Sequence, residues 1–182
     1  MIPYRDEKIQ NAIAFFALNH KKKARRHLYQ TYLYKYLAFL DFSSLKEQGF
    51  PVLGLTYKAM KKGPVPIEIY SNKEDTKKYK FVKDELGEFV VAKEKPNLDY
   101  FSPFEIELME KLIEIYAAKW IVTNIMSEAS HEAILAWRRT YYSRPNEIID
   151  YSLEFEDDVF SKKQEQLTYQ EEVFLTNKAL AS

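Results

Sequence analysis

From Arg26 to Leu45 the chain runs 20 residues without Gly or Pro, longer than an ordinary strand. Leu28, Leu33, Leu37 and Leu40 stand there among Tyr29, Tyr32, Tyr36 and Phe39, apolar on nearly every side of a helix. A helix of that kind is stable only when other elements surround it, so it belongs at the centre of a domain. The alternation Tyr32, Tyr34, Tyr36 also suits a strand, but the length favours a helix. Everything else in the chain has to be read as packing around this segment.

Periodicity assigns most of that packing to helices. Ile9, Ile13, Phe16 and Ala17 predict an amphipathic helix over residues 6–20, and Gly49 stops the central helix. The stretch Gly54-Leu55-Thr56-Tyr57-Lys58-Ala59-Met60-Lys61-Lys62-Gly63-Pro64-Val65-Pro66 reads as a shaped corner. Its Gly63-Pro64 pair marks a turn, and Pro66 is suited to open a short helix to about residue 72. Residues 79–93, enriched in β-branched and aromatic residues around a Gly-containing connection, read as a β-hairpin with a turn through Asp84, Glu85, Leu86 and Gly87. Two strands alone are marginal, so a further strand, taken from the extended part of residues 52–59, is expected beside them. Ser102-Pro103-Phe104-Glu105 has the form of a capping box and begins a helix to about residue 117. Thr123 and Ser130 are read as caps of two further helices, 123–129 and 131–142. After Arg144-Pro145-Asn146 the chain turns acidic, and Leu167, Tyr169, Val173, Phe174 and Leu180 suit a final helix. The expected class is mainly α with a small antiparallel β-hairpin, an α+β arrangement built as a compact helical domain. Residues 1–145 form that domain, and residues 146–182 are an acidic linker and C-terminal helix packed on it.

Composition narrows the function classes. The longest apolar run, residues 12–18, falls well short of the roughly 20 residues that a membrane helix needs. The first residues lack the pattern of a secretory signal, and there is no Cys for disulfides, thiol nucleophiles or thiolate metal sites. A cytoplasmic protein with no membrane partner is the expectation. A net charge of zero conceals a polarity: residues 1–80 carry 16 Lys and Arg against 7 Asp and Glu, and the remainder reverses the excess. Its densest part, His20-Lys21-Lys22-Lys23-Ala24-Arg25-Arg26-His27, reads either as a solvated helix end or as a surface for an acidic partner.

No catalytic centre emerges. The three His, at 20, 27 and 131, are too few and too scattered for zinc, and the four Gly form no phosphate-binding loop, so neither metal nor cofactor is expected. Ser130 beside His131 makes no triad, because adjacent residues point apart, and Glu154, Glu156, Asp157 and Asp158 read as a solvated acidic face. Two constellations remain: the corner, and His131 with Trp137 and Arg138. On a continuous helix His131 and Trp137, six apart, face different ways, while His131 and Arg138 share a face.

These residues carry a resemblance. Leu28-Tyr29 through Asp41, then Gly54-Leu55-Thr56-Tyr57 through Lys62-Gly63-Pro64-Val65-Pro66, then Ser102-Pro103-Phe104-Glu105, then Ser130-His131-Glu132 through Trp137 together resemble the Panacea domain family. Its members are also described as SocA-like antitoxins or phage-associated GepA-like proteins, and the likeness spans about residues 5–145. In this chain Ala133-Ile134-Leu135 stands where a Pro before the Trp is usual, and Lys62 where an aromatic often precedes Gly63-Pro64. The resemblance implies a non-enzymatic antitoxin that neutralises a cognate protein toxin by direct contact, the toxin being encoded by an adjacent gene. Protease delivery and homo-oligomerisation are further partner modes. Carried onto this sequence, the partner-binding residues are Tyr57, Lys58, Met60, Lys61, Gly63, Pro64, Val65, His131 and Trp137. The alternative is a winged-helix-like nucleic-acid-binding regulator, which the acidic residues 84, 85 and 88 at the hairpin tip oppose.

Overall fold

The computed structural model describes residues 2–181; Met1 and Ser182 lie outside it. Seven α-helices and five short strands are present among the described residues, in accord with a mainly helical α+β class. The central helix is α2 (Gln30–Gln48), whose Leu33, Tyr36, Leu37 and Leu40 are fully buried. Gly49 closes it with φ +80° and an N–H bond back to the Leu45 carbonyl, a left-handed cap in which an L side chain is strained. Its N-terminus is later than the sequence suggests. Leu28 and Tyr29 form a short strand, β1, because their backbone pairs with residues 89 and 90 before the helix begins.

Helix α1 (Arg5–Ala24) packs against α2, and Phe16 stacks on Tyr36 with ring centroids 4.7 Å apart. It runs one turn past the predicted end and takes the basic run into its last turn, where lysines complement the negative end of the helix dipole. His20 on this helix is buried and bonded to the Tyr36 hydroxyl, and burial, aided by Arg26, lowers its pKa to about 4. Helix α4 (Pro103–Tyr116) packs against both α2 and α1. The Ser102 hydroxyl accepts from the Glu105 N–H and the Glu105 carboxylate from the Ser102 N–H, the reciprocal box expected from the sequence. Glu105 also takes the ammonium of buried Lys8 at 2.6 Å, tying α1 to α4.

The predicted hairpin is β4 (Tyr79–Asp84) and β5 (Gly87–Ala92), joined in register from Tyr79↔Ala92 to Asp84↔Gly87. Its third strand is β1, not residues 52–59, giving the order β1-β5-β4. Residues 57–66 make a sheet of their own instead. Strand β2 (Tyr57–Met60) folds back through Lys61-Lys62 onto β3 (Gly63–Pro66), with Met60 opposite Gly63, and α3 (Ile67–Ser71) follows. The corner is therefore a two-stranded ribbon. Its outer edge is covered by residues 146–149, which exchange backbone hydrogen bonds with Tyr57 and Ala59.

The segment 123–143 divides into α5 (Thr123–Ala133) and α6 (Leu135–Ser143) with an extended break at Ile134. Neither predicted cap acts as one. Thr123 is the first helical residue, and Ser130 lies buried inside α5, its hydroxyl donating to the Ser127 carbonyl. The expected solvated acidic face also needs correction at Glu154. Its carboxylate is buried in a 3-10 turn (Tyr151–Glu154), accepts the Ala136 N–H at 2.7 Å and pairs with Lys46. It thus supplies the acceptor that the start of α6 lacks locally. Helix α7 (Tyr169–Ala181) lies back across α2, with Phe174 against Phe155.

Candidate functional site

The ribbon β2–β3 is held by an inward face and offers an outward one. Strand alternation turns Tyr57 and Ala59 inward, both fully buried, and leaves Lys58, Met60 and Val65 half-exposed, with Lys61 and Lys62 exposed at the tip. Tyr57 donates its hydroxyl to Asp41 at 3.1 Å. Asp41 also accepts from the N–H groups of Leu53, at 2.6 Å, and Leu55, and the Tyr151 hydroxyl lies 3.1 Å from it. Burial raises the Asp41 pKa, while the hydrogen bonds it accepts from Leu53 and Leu55 act the other way. This network fastens the base of the ribbon to α2.

The tip is fastened by a second set of groups. Trp137, 2% exposed, donates its indole N–H to the Met60 carbonyl at 3.0 Å. His131 lies flat on that indole, ring centroids 4.0 Å apart and planes within 5°. The rule for a continuous helix therefore fails here. The break at Ile134 puts the two residues on different helices and folds α6 back so that their faces meet. His131 and Arg138, expected on one face, are separated by the same break. Burial lowers the His131 pKa and the Lys35 ammonium adds to the shift.

Gly63 is the point where the tip meets the interior. It has φ +107°, and a Cβ there would stand within 3 Å of both Lys35 Nζ and Ser130 Oγ. Lys35 is 1% exposed, and burial, with Lys62 contributing, lowers its pKa to about 7. A close approach of backbone to a buried amine requires glycine at this position.

Of the residues carried over from the resemblance, the structure gathers Met60, Lys61, Gly63, His131 and Trp137 at one end of the ribbon. Lys58 and Val65 lie opposite each other on its outer side. Tyr57, Gly63, Pro64 and Trp137 are buried and shape the ribbon, so the apolar anchor expected of Tyr57 is not at the surface. Lys35 and Asp41 were not singled out from the sequence. Their signal is there: they are the two charged residues in the apolar run 28–45, and a charge in a buried helix needs a reason.

Among the described residues no cluster of His, Cys, Asp and Glu could hold a metal ion, and no helix is long and apolar enough to cross a membrane. Neither the curated proteins nor the solved structures contain a match to the chain. The family model described as antitoxin SocA-like, Panacea domain, matches residues 33–138. That span covers more than half of the chain and contains Lys35, Asp41, the ribbon, His131 and Trp137. The chain thus belongs to the SocA-like antitoxin family, defined by the Panacea domain.

Proposed function

We propose that this protein is the antitoxin of a toxin–antitoxin pair and neutralises a cognate protein toxin by direct binding through the outer face of the ribbon. The observation that carries this reading is the ribbon itself. Its base and tip are anchored at Asp41 and Trp137, and its outward residues combine a thioether, an aliphatic side chain and cations. A rigid surface loses little conformational entropy on binding, and Met is among the residue types that interfaces favour. Lys58, Met60, Lys61 and Val65 would make the contact, with His131 beside them; Tyr57, Gly63, Pro64 and Trp137 would hold the surface in shape. Binding, not catalysis, is the role, exercised in the cytoplasm against a toxin encoded next to this gene. Neutralisation follows either from steric blockade or from delivery of the toxin to a protease. The nucleic-acid alternative draws no support from the β4–β5 hairpin, whose tip presents Asp84 and Glu85.

The test is co-expression with the adjacent reading frame, reading growth and recovery of a complex. Growth arrest by the neighbour alone, relieved by this protein and not by a Met60→Asp, Lys61→Glu double variant of unchanged helical content, is the expected result. A harmless neighbour, or full rescue by the double variant, refutes the pairing or the surface respectively.

A further inference from the structure

On the far side of the ribbon tip lies a cleft of about 600 Å³, the size of a small-molecule site. The connection into β1 supplies Arg26 and His27, the start of α2 Thr31 and Tyr32, and the tip Lys62. The β4–β5 turn brings Gly87 and Glu88, and the first turn of α5 Thr123 and Asn124. Arg26, Lys62 and Glu88 are the formal charges lining it, and Glu88 is already paired with Lys73. The Asp84 carboxylate beside it accepts from the Tyr29 hydroxyl and the Leu86 and Gly87 amides, so Arg26 and Lys62 are the charged groups of the cleft with no ion-pair partner among the described residues.

Two further features point the same way. Arg26 Nε and His27 Nδ1 are buried without a hydrogen-bond partner, although Arg26 is fixed in place by a second nitrogen on the Ile121 carbonyl and by its position 4.9 Å over the Tyr32 ring. Helix α5 begins without a side-chain cap and without an acidic residue in its first turn, so its amides at Thr123 and Asn124 keep their positive field. Donors and cations thus converge from a loop, a ribbon tip and a helix end, and the nearby carboxylates of Asp84 and Glu88 already have partners.

We propose that this cleft binds a phosphate group, either as the free dianion or as the terminal group of a small phosphate ester. A tetrahedral oxyanion offers acceptors in several directions and so can meet donors from all three elements at once. A planar carboxylate is satisfied by one fork. The antitoxin role assigns no ligand to this cleft, and the cleft does not depend on that role.

The full-length protein, labelled with nitrogen-15, is titrated at constant ionic strength and about pH 7.5, where a phosphate ester is largely doubly charged. Inorganic phosphate, adenosine monophosphate and glutamate are the probes. Saturable shifts of the Thr123, Asn124 and Gly87 amides with either phosphate probe are expected. Lys62→Glu should weaken binding about tenfold or more, by placing a like charge in the cleft. Lys111→Glu, the same charge change on the exposed face of α4, should leave it unaltered. Tighter binding of the monophosphate identifies an ester as the ligand, and equal binding the free ion. Shifts that fail to saturate, an equal response to glutamate, or the same loss in Lys111→Glu overturns the proposal. Lys62 and Lys111 are both exposed, so neither substitution removes a packing contact from the core.

Discussion

Replacing Lys35 by Met should stabilise the protein at neutral pH, and the gain should fade as the solution becomes alkaline. The Lys35 side chain is buried beneath Gly63, and its pKa falls from 10.5 to about 7 through burial, with Lys62 adding repulsion. Between those values the unfolded chain holds a proton that the folded chain lacks, so the stability of the parent protein rises with pH across this window. Below pH 7 both states are protonated and the full cost of the buried charge is present. Each unit is worth about 1.4 kcal/mol, so the climb from pH 7 to about pH 9.5 amounts to about 3 kcal/mol. Met fills nearly the same volume and cannot titrate. The variant should therefore exceed the parent by several kcal/mol at about pH 6, and that margin should shrink by about 3 kcal/mol at about pH 9.5. Tyr57 and Tyr151, whose pKa values burial raises well above normal, act in the opposite sense at higher pH, but they are common to both proteins and cancel. Urea unfolding followed by the fluorescence of buried Trp137 measures the difference. A margin independent of pH would falsify the claim that Lys35 sits in a site that disfavours its charge.

Two other substitutions probe the fastening of the ribbon. Gly63→Ala should cost about 2–4 kcal/mol, since it adds a Cβ at φ +107° against Lys35 and Ser130; a melting temperature within a degree of the parent would show that those side chains yield freely. Trp137→Phe removes the donor to the Met60 carbonyl and should cost about 1–2 kcal/mol, with faster amide hydrogen exchange in residues 57–66 and unchanged helical content. Exchange that speeds up uniformly across the chain, or not at all, would separate the indole bond from the order of the ribbon.

Legibility followed the range of the interactions involved. The Ser102–Glu105 box, the β-branched and aromatic run of 79–93 and the apolar run of α2 are each decided within a few residues; the box and the hairpin were found where expected, and α2 was found with its start displaced by the β1 pairing. The candidate surface was half legible. Motif residues at 57–66 and 131–137 do meet in the fold, but which of them face solvent depended on strand pairing that is not legible in the corner's local sequence. The stack of His131 on Trp137 was hidden because it requires a helix break at Ile134. That break accompanies Glu154, which meets the Ala136 N–H from 18 residues further along the chain.

By itself, then, the sequence determined the helical class, the central place of α2, the capped start of α4, the β4–β5 hairpin and the family resemblance, because periodicity, caps and turn residues act over one or two turns of chain. Tertiary structure alone decided the rest. It placed Leu28-Tyr29 as the third strand, buried Tyr57 on Asp41, covered the ribbon edge with residues 146–149, and gathered Lys62, Arg26, His27 and the start of α5 around one cleft. The physical reason is that burial and electrostatics depend on which groups meet across the fold. A lone Lys in an apolar helix has the same local sequence whether it finds water, a carboxylate or, as Lys35 does, the underside of a glycine.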